Sequence, residues 1–148
     1  MKPVRTLVVM ASESRLRLAE NAGVGKGVTE LSARDAEEMG FHPNRYADTP
    51  GRSQAAPGMA SHGLDRHMTD REQAREGFAG AVIDAALGEW RKGGYDRLVL
   101  AAPPKMLGAL RPKLPAELVA HLALDLDKDL TKLPAAELAE HLDRHLAV

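Results

Sequence analysis

Residues 69–102 read TDREQAREGFAGAVIDAALGEWRKGGYDRLVLAA, and the fold turns on how that run divides. Thr69, followed by Glu72, has the form of a capping box. The threonine hydroxyl accepts from the backbone N–H three residues on, and the glutamate reaches back. Phe78, Ala79, Val82, Ile83, Ala86, Leu87 and Trp90 then recur at helical spacing and make one broad apolar face. Gly93-Gly94 ends the helix, because glycine suits the left-handed position that follows one. Arg97 to Ala102, RLVLAA, is a continuous apolar run of strand length and predicts a central strand covered on both faces. Pro103-Pro104 stops that strand, since neither residue can donate to a ladder. The expected core centres on Val8, Leu98, Val99, Leu100, Val82 and Ile83.

Toward the N-terminus, Thr6 to Met10 is a short apolar, β-branched run that reads as a buried strand. Arg15 to Glu20, RLRLAE, alternates as a half-buried strand should. Val28 to Arg34 is a third strand, so the first third of the chain reads as an antiparallel meander. Between the second and third strands lies GVGKG, residues 23–27. A phosphate-binding Walker loop needs a serine or threonine after the lysine and a helix beyond it. Here a glycine follows Lys26 and a strand comes next, so GVGKG reads as a hairpin turn.

Toward the C-terminus, Met106 to Leu110 reads as a helical turn, and Pro115 opens a short helix at its first position. His121 to Leu126 alternates as a last strand. A final helix starts at Pro134, with Leu138, Leu142 and Leu146 on one stripe. KLPAELVAHL (113–122) echoes KLPAAELAEHL (132–142), but two copies are too few for a repeat architecture. Both are helix starts built on proline.

Composition bounds the function. The chain has 148 residues, fitting one domain, 1–148. Its net charge of -1 argues against a strongly basic nucleic-acid module, though not against a local basic patch. It has no cysteine, which excludes disulfides, thiolate metal sites and cysteine catalysis. Aromatic residues make up only 3%, so base-stacking platforms are scarce. The apolar patch Leu7 to Ala11 is too short for a signal peptide, and no run approaches the ~20 apolar residues of a membrane span. The expectation is a cytoplasmic protein without membrane insertion.

Few constellations suggest chemistry. Glu137, His141 and His145 share a helix face, but Leu142 stands where the HExxH zinc motif needs glutamate, so a solvated face is the simpler account. Asp125, Asp127 and Asp129 alternate as metal ligands can, yet Lys128 and Lys132 among them favour mutual neutralisation. No GxSxG elbow appears. No cofactor and no metal are expected.

The segment 41–67 is different. Its stretch DTPGRSQAAPGMASHGLDRH (48–67) holds three glycines, two prolines and two histidines, with no hydrophobic period. That predicts a long irregular loop, mobile in the free protein. Arg45, Arg52 and Arg66 stand there against Asp48 and Asp65, a weak anion-facing signal.

The chain resembles a bacterial host-attachment family, "protein required for attachment to host cells". The likeness rests on GVGKG, DTPGRS and TDREQAREGFA, and above all on YDRLVLAAPPKMLGALR (95–111) and LDKDLTKLPAAELAEHL (126–142). One departure is Leu133 before Pro134, where similar sequences place a serine cap. The family is similar in fold to the middle domain of archaeal and eukaryotic release factors. The resemblance therefore implies an RNase-H-like α/β fold: a mixed five-stranded sheet with an antiparallel meander, a long helix, two further strands and more helices.

Release factors carry a Gly-Gly-Gln loop between the third strand and the long helix. Here the nearest tripeptide is Arg52-Ser53-Gln54, which argues against peptidyl-tRNA hydrolysis. The leading expectation is a non-enzymatic binding module that contacts ribosome or structured RNA through the 41–67 loop. Its candidate binding residues are Arg45, Arg52, Ser53, Gln54, His62, Arg66, His67 and Lys105. One alternative is a cytoplasmic protein-interaction factor that supports attachment indirectly. The other is a tRNA-ester hydrolase, which rests on fold analogy alone. Partner identity and oligomeric state do not follow from the sequence.

Overall fold

The computed structural model describes residues 2–42 and 69–146. Arg45, Arg52, Ser53, Gln54, His62, Arg66 and His67, together with the predicted mobility of their loop, lie outside the described residues. Five strands form one sheet: β1 Thr6–Ala11, β2 Arg15–Asn21, β3 Thr29–Asp35, β4 Arg97–Ala101 and β5 Leu122–Leu126. Their order is β3-β2-β1-β4-β5. β1–β2 and β2–β3 are antiparallel; β1–β4 and β4–β5 are parallel. The helices are α1 Asp70–Trp90, α2 Pro104–Leu110, α3 Ala116–Val119 and α4 Ala135–Asp143, with a tight 3-10 turn at Arg111–Lys113.

The sheet is covered on both faces, so the core is two clusters. On one face, Leu7, Val9, Leu16, Leu18, Leu98 and Leu100 meet Phe78, Val82 and Ile83 of α1 and Met106, Leu107 and Leu110 of α2. On the other, Val8, Met10, Ala19, Val99 and Ala101 meet Leu126, Leu130, Leu138 and Leu142. All six expected core residues are buried. Strand alternation sends Val8 and Val99 to one face and Leu98 and Leu100 to the other, where Val82 and Ile83 of α1 cover them.

β2 departs from its half-buried expectation. Arg17 points into the second cluster and is only 6% exposed. Burying a guanidinium is costly unless it is paired and hydrogen-bonded. Here Arg17 Nε donates to Glu30 Oε1 of β3 at 2.5 Å, and Nη1 donates to the carbonyls of Leu130 and Leu133. That fork fastens the approach to α4 onto the sheet, just before Pro134, which occupies the cap position without a side-chain cap.

Helix starts differ from expectation by small, explicable steps. Pro115 and Pro134 take the cap position rather than the first helical one. Pro103 caps α2 and Pro104 opens it, so that helix starts earlier than the predicted turn at Met106. α3 ends at Val119, and the last strand starts at Leu122, one residue later than the expected His121.

GVGKG is the hairpin between β2 and β3, with Gly25 at φ +82° and Gly27 at +68°. Buried Asn21 holds it: its Nδ2 donates to the carbonyls of Gly23 and Gly27, and its Oδ1 accepts from Gly23 N.

Candidate functional site: the carboxyl edge of the sheet

β3 and β1 are both antiparallel to β2, and β4 and β5 are parallel to β1. The carboxyl ends of β1, β3, β4 and β5 therefore share one edge. α1 also begins at this edge, since Arg71 and Arg75 of its first turns reach the β1–β2 turn. Both described roots of the 43–68 segment consequently leave from the carboxyl edge, where open α/β sheets present their ligands.

The β1–β2 turn, Ser12-Glu13-Ser14, is tied to both roots. On one side Ala36 N donates to Ser14 O at 2.8 Å. A single helical turn follows, closed by Phe41 N to Ala36 O at 2.9 Å. Phe41 then lays its ring 5.7 Å from Phe78 of α1. The ring crosses Gly77, where an added Cβ would come within 2.8 Å of Phe41 Cε1. On the other side, Thr69 caps α1: Glu72 N donates to Thr69 Oγ1 at 3.1 Å. The reciprocal contact is not the expected one to the cap's backbone. Thr69 Oγ1 donates to Glu72 Oε1 at 3.2 Å instead. Glu13 Oε1 lies 3.3 Å from Nε of both Arg71 and Arg75, so the turn and the helix start are clamped together. Phe41, Gly77 and Glu13 are the site residues that sequence reasoning missed. The one available signal was an aromatic residue at the edge of a segment read as wholly irregular.

Lys105 is brought to this edge. It is exposed in the first turn of α2, just beyond β4. β2 and β1 lie between β3 and β4, which puts the ends of those two strands about 14 Å apart by ordinary strand spacing. The other seven candidate residues lie outside the described residues. The described frame does not carry a positive field at this edge. Arg15, Arg34, Arg71, Arg75, Lys105 and Lys128 face the more numerous Glu13, Asp35, Glu37, Glu38, Asp70, Glu72, Asp127 and Asp129. Any attraction for phosphate through this edge has to be local.

The other constellations resolve into structure. Asp125 accepts from Arg111 Nε at 2.8 Å, and Asp129 accepts from Thr131 N and Oγ1 at 2.9 and 2.5 Å. Asp125 and Asp129 are thus engaged separately. His141 and His145 have ring centroids 6.0 Å apart. His141 Nε2 is buried without a hydrogen-bond partner. Burial holds its pKa below the usual histidine value, with Lys128, Arg144 and His145 acting in the same direction. Among the described residues, no group of three or more His, Cys, Asp or Glu could hold a metal ion, and no helix is long and apolar enough to cross a membrane.

A mixed five-stranded sheet, a long helix after the third strand and a segment between them whose roots meet at the carboxyl edge define a release-factor-type α/β fold. Its likeness to a solved structure bears on the fold alone. The archaeal translation termination factor aRF1 superposes with a TM-score of 0.50 at 11% identity, over 96% of this chain and 35% of that one. Two structures of an Aquifex aeolicus Ppx/GppA enzyme match over 83% of this chain and 35% of theirs, at 9% and 11% identity. Their TM-scores of 0.37 and 0.38 carry no argument. The chain spans about a third of the length of the solved chains it matches. No curated protein matches it. Residues 5–142 match the model of Bacterial archaeo-eukaryotic release factor family 12, and the chain belongs to that family. The family description names release factors and carries no mention of host attachment.

Proposed function

We propose that this chain is a ribosome-associated binding module that does not itself release nascent chains. The observation that supports this best is the family match over residues 5–142, joined to a fold shared with an archaeal termination factor. The segment between β3 and α1 is the one we assign to the ribosome, because its roots are fixed at the carboxyl edge by Phe41, Glu13 and Thr69. Arg45, Arg52 and Arg66 then act as phosphate-positioning charges, with Ser53, Gln54, His62 and His67 beside them and Lys105 assisting from the end of β4. Positioning charges give affinity that is salt-sensitive and indifferent to sequence.

Hydrolysis is disfavoured on chemical grounds. A glutamine posed against an ester needs close backbone approach, which two preceding glycines permit because they lack Cβ. Arg52 and Ser53 occupy those places here. Neither the fold nor the family match favours an indirect attachment role, and a cytoplasmic location follows only if the ribosome reading holds.

The test is sedimentation with ribosomes over a range of salt. The chain should pellet with them at low salt and be released as salt rises, with Arg45→Gln, Arg52→Gln and Arg66→Gln each flattening that dependence. A chain that stays in the supernatant at the lowest salt would sink the reading.

A further inference from the structure

At the opposite edge, where β1, β4 and β5 begin, four flat groups form one column. Arg5 Cζ stands 4.6 Å from the centroid of the Tyr95 ring. Tyr95 stacks on Trp90 at 5.8 Å between centroids and 22° between planes. Trp90 meets His121 at 5.0 Å, tilted by 42°. Side contacts fix the column. Arg5 Nη2 donates to Glu20 Oε2 at 2.7 Å, the Tyr95 hydroxyl donates to Glu89 Oε2 at 2.8 Å, and His121 Nδ1 lies 3.3 Å from the Asp96 carbonyl oxygen. Burial and the Glu89 contact push the Tyr95 hydroxyl pKa up, so it stays a donor.

Arg5 closes one end of the column; the other end is the exposed imidazole of His121. Of the described aromatic residues, Phe41 and Phe78 pair at the first core cluster, and Trp90 and Tyr95 both stand here. Trp90 and Tyr95 are partly buried against the first core cluster, so among the described residues the column joins that cluster to the exposed His121.

Charge at this edge has the sign a nucleic acid requires. Arg5, Arg91 and Lys92 are matched by Glu20, Glu117 and Glu89, and in the charge count Arg97 at the start of β4 offsets Asp96, whose carboxylate accepts from Arg5 N. Lys2 and Lys26 have no carboxylate partner among the described residues, and Lys26 lies in the β2–β3 hairpin at the same edge. An exposed imidazole with a surplus cation about three strand spacings (~14 Å) away, at the β2–β3 hairpin, is a pairing that a single strand a few nucleotides long can span, and stacking is worth roughly 1–3 kcal/mol per base.

We propose that this edge binds single-stranded RNA, one unpaired base stacking on His121 while Lys2 and Lys26 meet backbone phosphates. The site lies away from the segment assigned to the ribosome and adds a second contact to that reading. It shares the RNA partner and needs none of the 43–68 residues.

The chain's single tryptophan is inside the column and reports on it directly. A single-stranded RNA of about eight nucleotides, within the usual site size of one small binding fold, is titrated into the full chain while Trp90 emission is followed. Emission should change and saturate, with affinity falling as salt rises. His121→Ala should weaken binding roughly five- to a hundred-fold, the value of one stacked base. His121→Tyr, which restores a flat face, should bind like the parent. Lys26→Gln should lower the slope of log affinity on log salt by about 0.7.

Unchanged emission at saturating RNA overturns the site, and so does parental affinity in His121→Ala. A clasp with no ligand would give His121→Ala a lower melting temperature and no RNA-dependent emission. The two readings separate cleanly. RNA-dependent emission without pelleting on ribosomes removes the ribosome and leaves this site. Pelleting without RNA-dependent emission does the reverse.

Discussion

Gly77 shows how one missing methyl group places a neighbouring segment. In a helix interior glycine costs about 1 kcal/mol relative to alanine, so its presence in α1 asks for a reason. The reason is Phe41, whose ring edge occupies the space a Cβ would take. Because that edge is the far end of a side chain, the ring can swing away, losing its contact with Phe78. Gly77→Ala should therefore destabilise the parent yet stabilise a Phe41→Ala background by about 1 kcal/mol, the helix propensity alone. Urea unfolding of the four proteins in this cycle measures it; equal effects in both backgrounds would show that ring and glycine do not touch. Arg17 makes the complementary case. Arg17→Met removes a buried cation but strands Glu30 and the Leu130 and Leu133 carbonyls. With Glu30 half exposed, the expected loss is about 2–3 kcal/mol of unfolding free energy. A variant as stable as the parent would mean that the approach to α4 is held by apolar contacts alone.

At the scale of elements, α1 was legible because its signals agree: a cap, a periodic apolar face and a glycine pair at its end. Val82→Asp, which buries an unpaired carboxylate on that face, should cost several kcal/mol, and a melting temperature equal to the parent's would contradict the packing. β1 and β4 were legible as short apolar runs bounded by turn residues, and β5 by its alternation from His121 to Leu126. What sequence could not show was coupling across distance. Arg17 looks polar in a local pattern, and its burial is made tolerable by Glu30 across the strand pair and by carbonyls 113 and 116 positions away. The ladder of Arg5, Tyr95, Trp90 and His121 was hidden likewise, since four segments supply it. Low aromatic content made stacking platforms scarce in expectation, and composition could not show that Trp90 and Tyr95 stand together.

α4 makes a pH-dependent prediction. His141 is held neutral by burial, so below its ordinary pKa of about 6.5 the unfolded chain takes up a proton that the folded chain resists. Stability should be fully present above that value and fall as pH drops toward the lower folded pKa. His141→Gln should remove this part of the dependence in denaturant midpoints measured between about pH 7.5 and 5. An unchanged profile would place the sensitivity elsewhere.

For the whole molecule, the two proposals lie at opposite edges of the sheet. The carboxyl edge fixes both roots of the 43–68 segment, and the amino edge carries the aromatic column. The chain belongs to a release-factor family and shares the fold of an archaeal termination factor, and the proposal of binding without release rests on Arg52-Ser53 preceding Gln54. The central claim is occupancy without release. Ribosomes stalled with a labelled peptidyl-tRNA can be incubated with the parent and with Gln54→Ala, and bound protein and freed peptide counted in the same sample. The account predicts that both proteins occupy the ribosome and that neither frees peptide above background. Peptide freed by the parent and lost in Gln54→Ala would contradict it and make this chain a hydrolase.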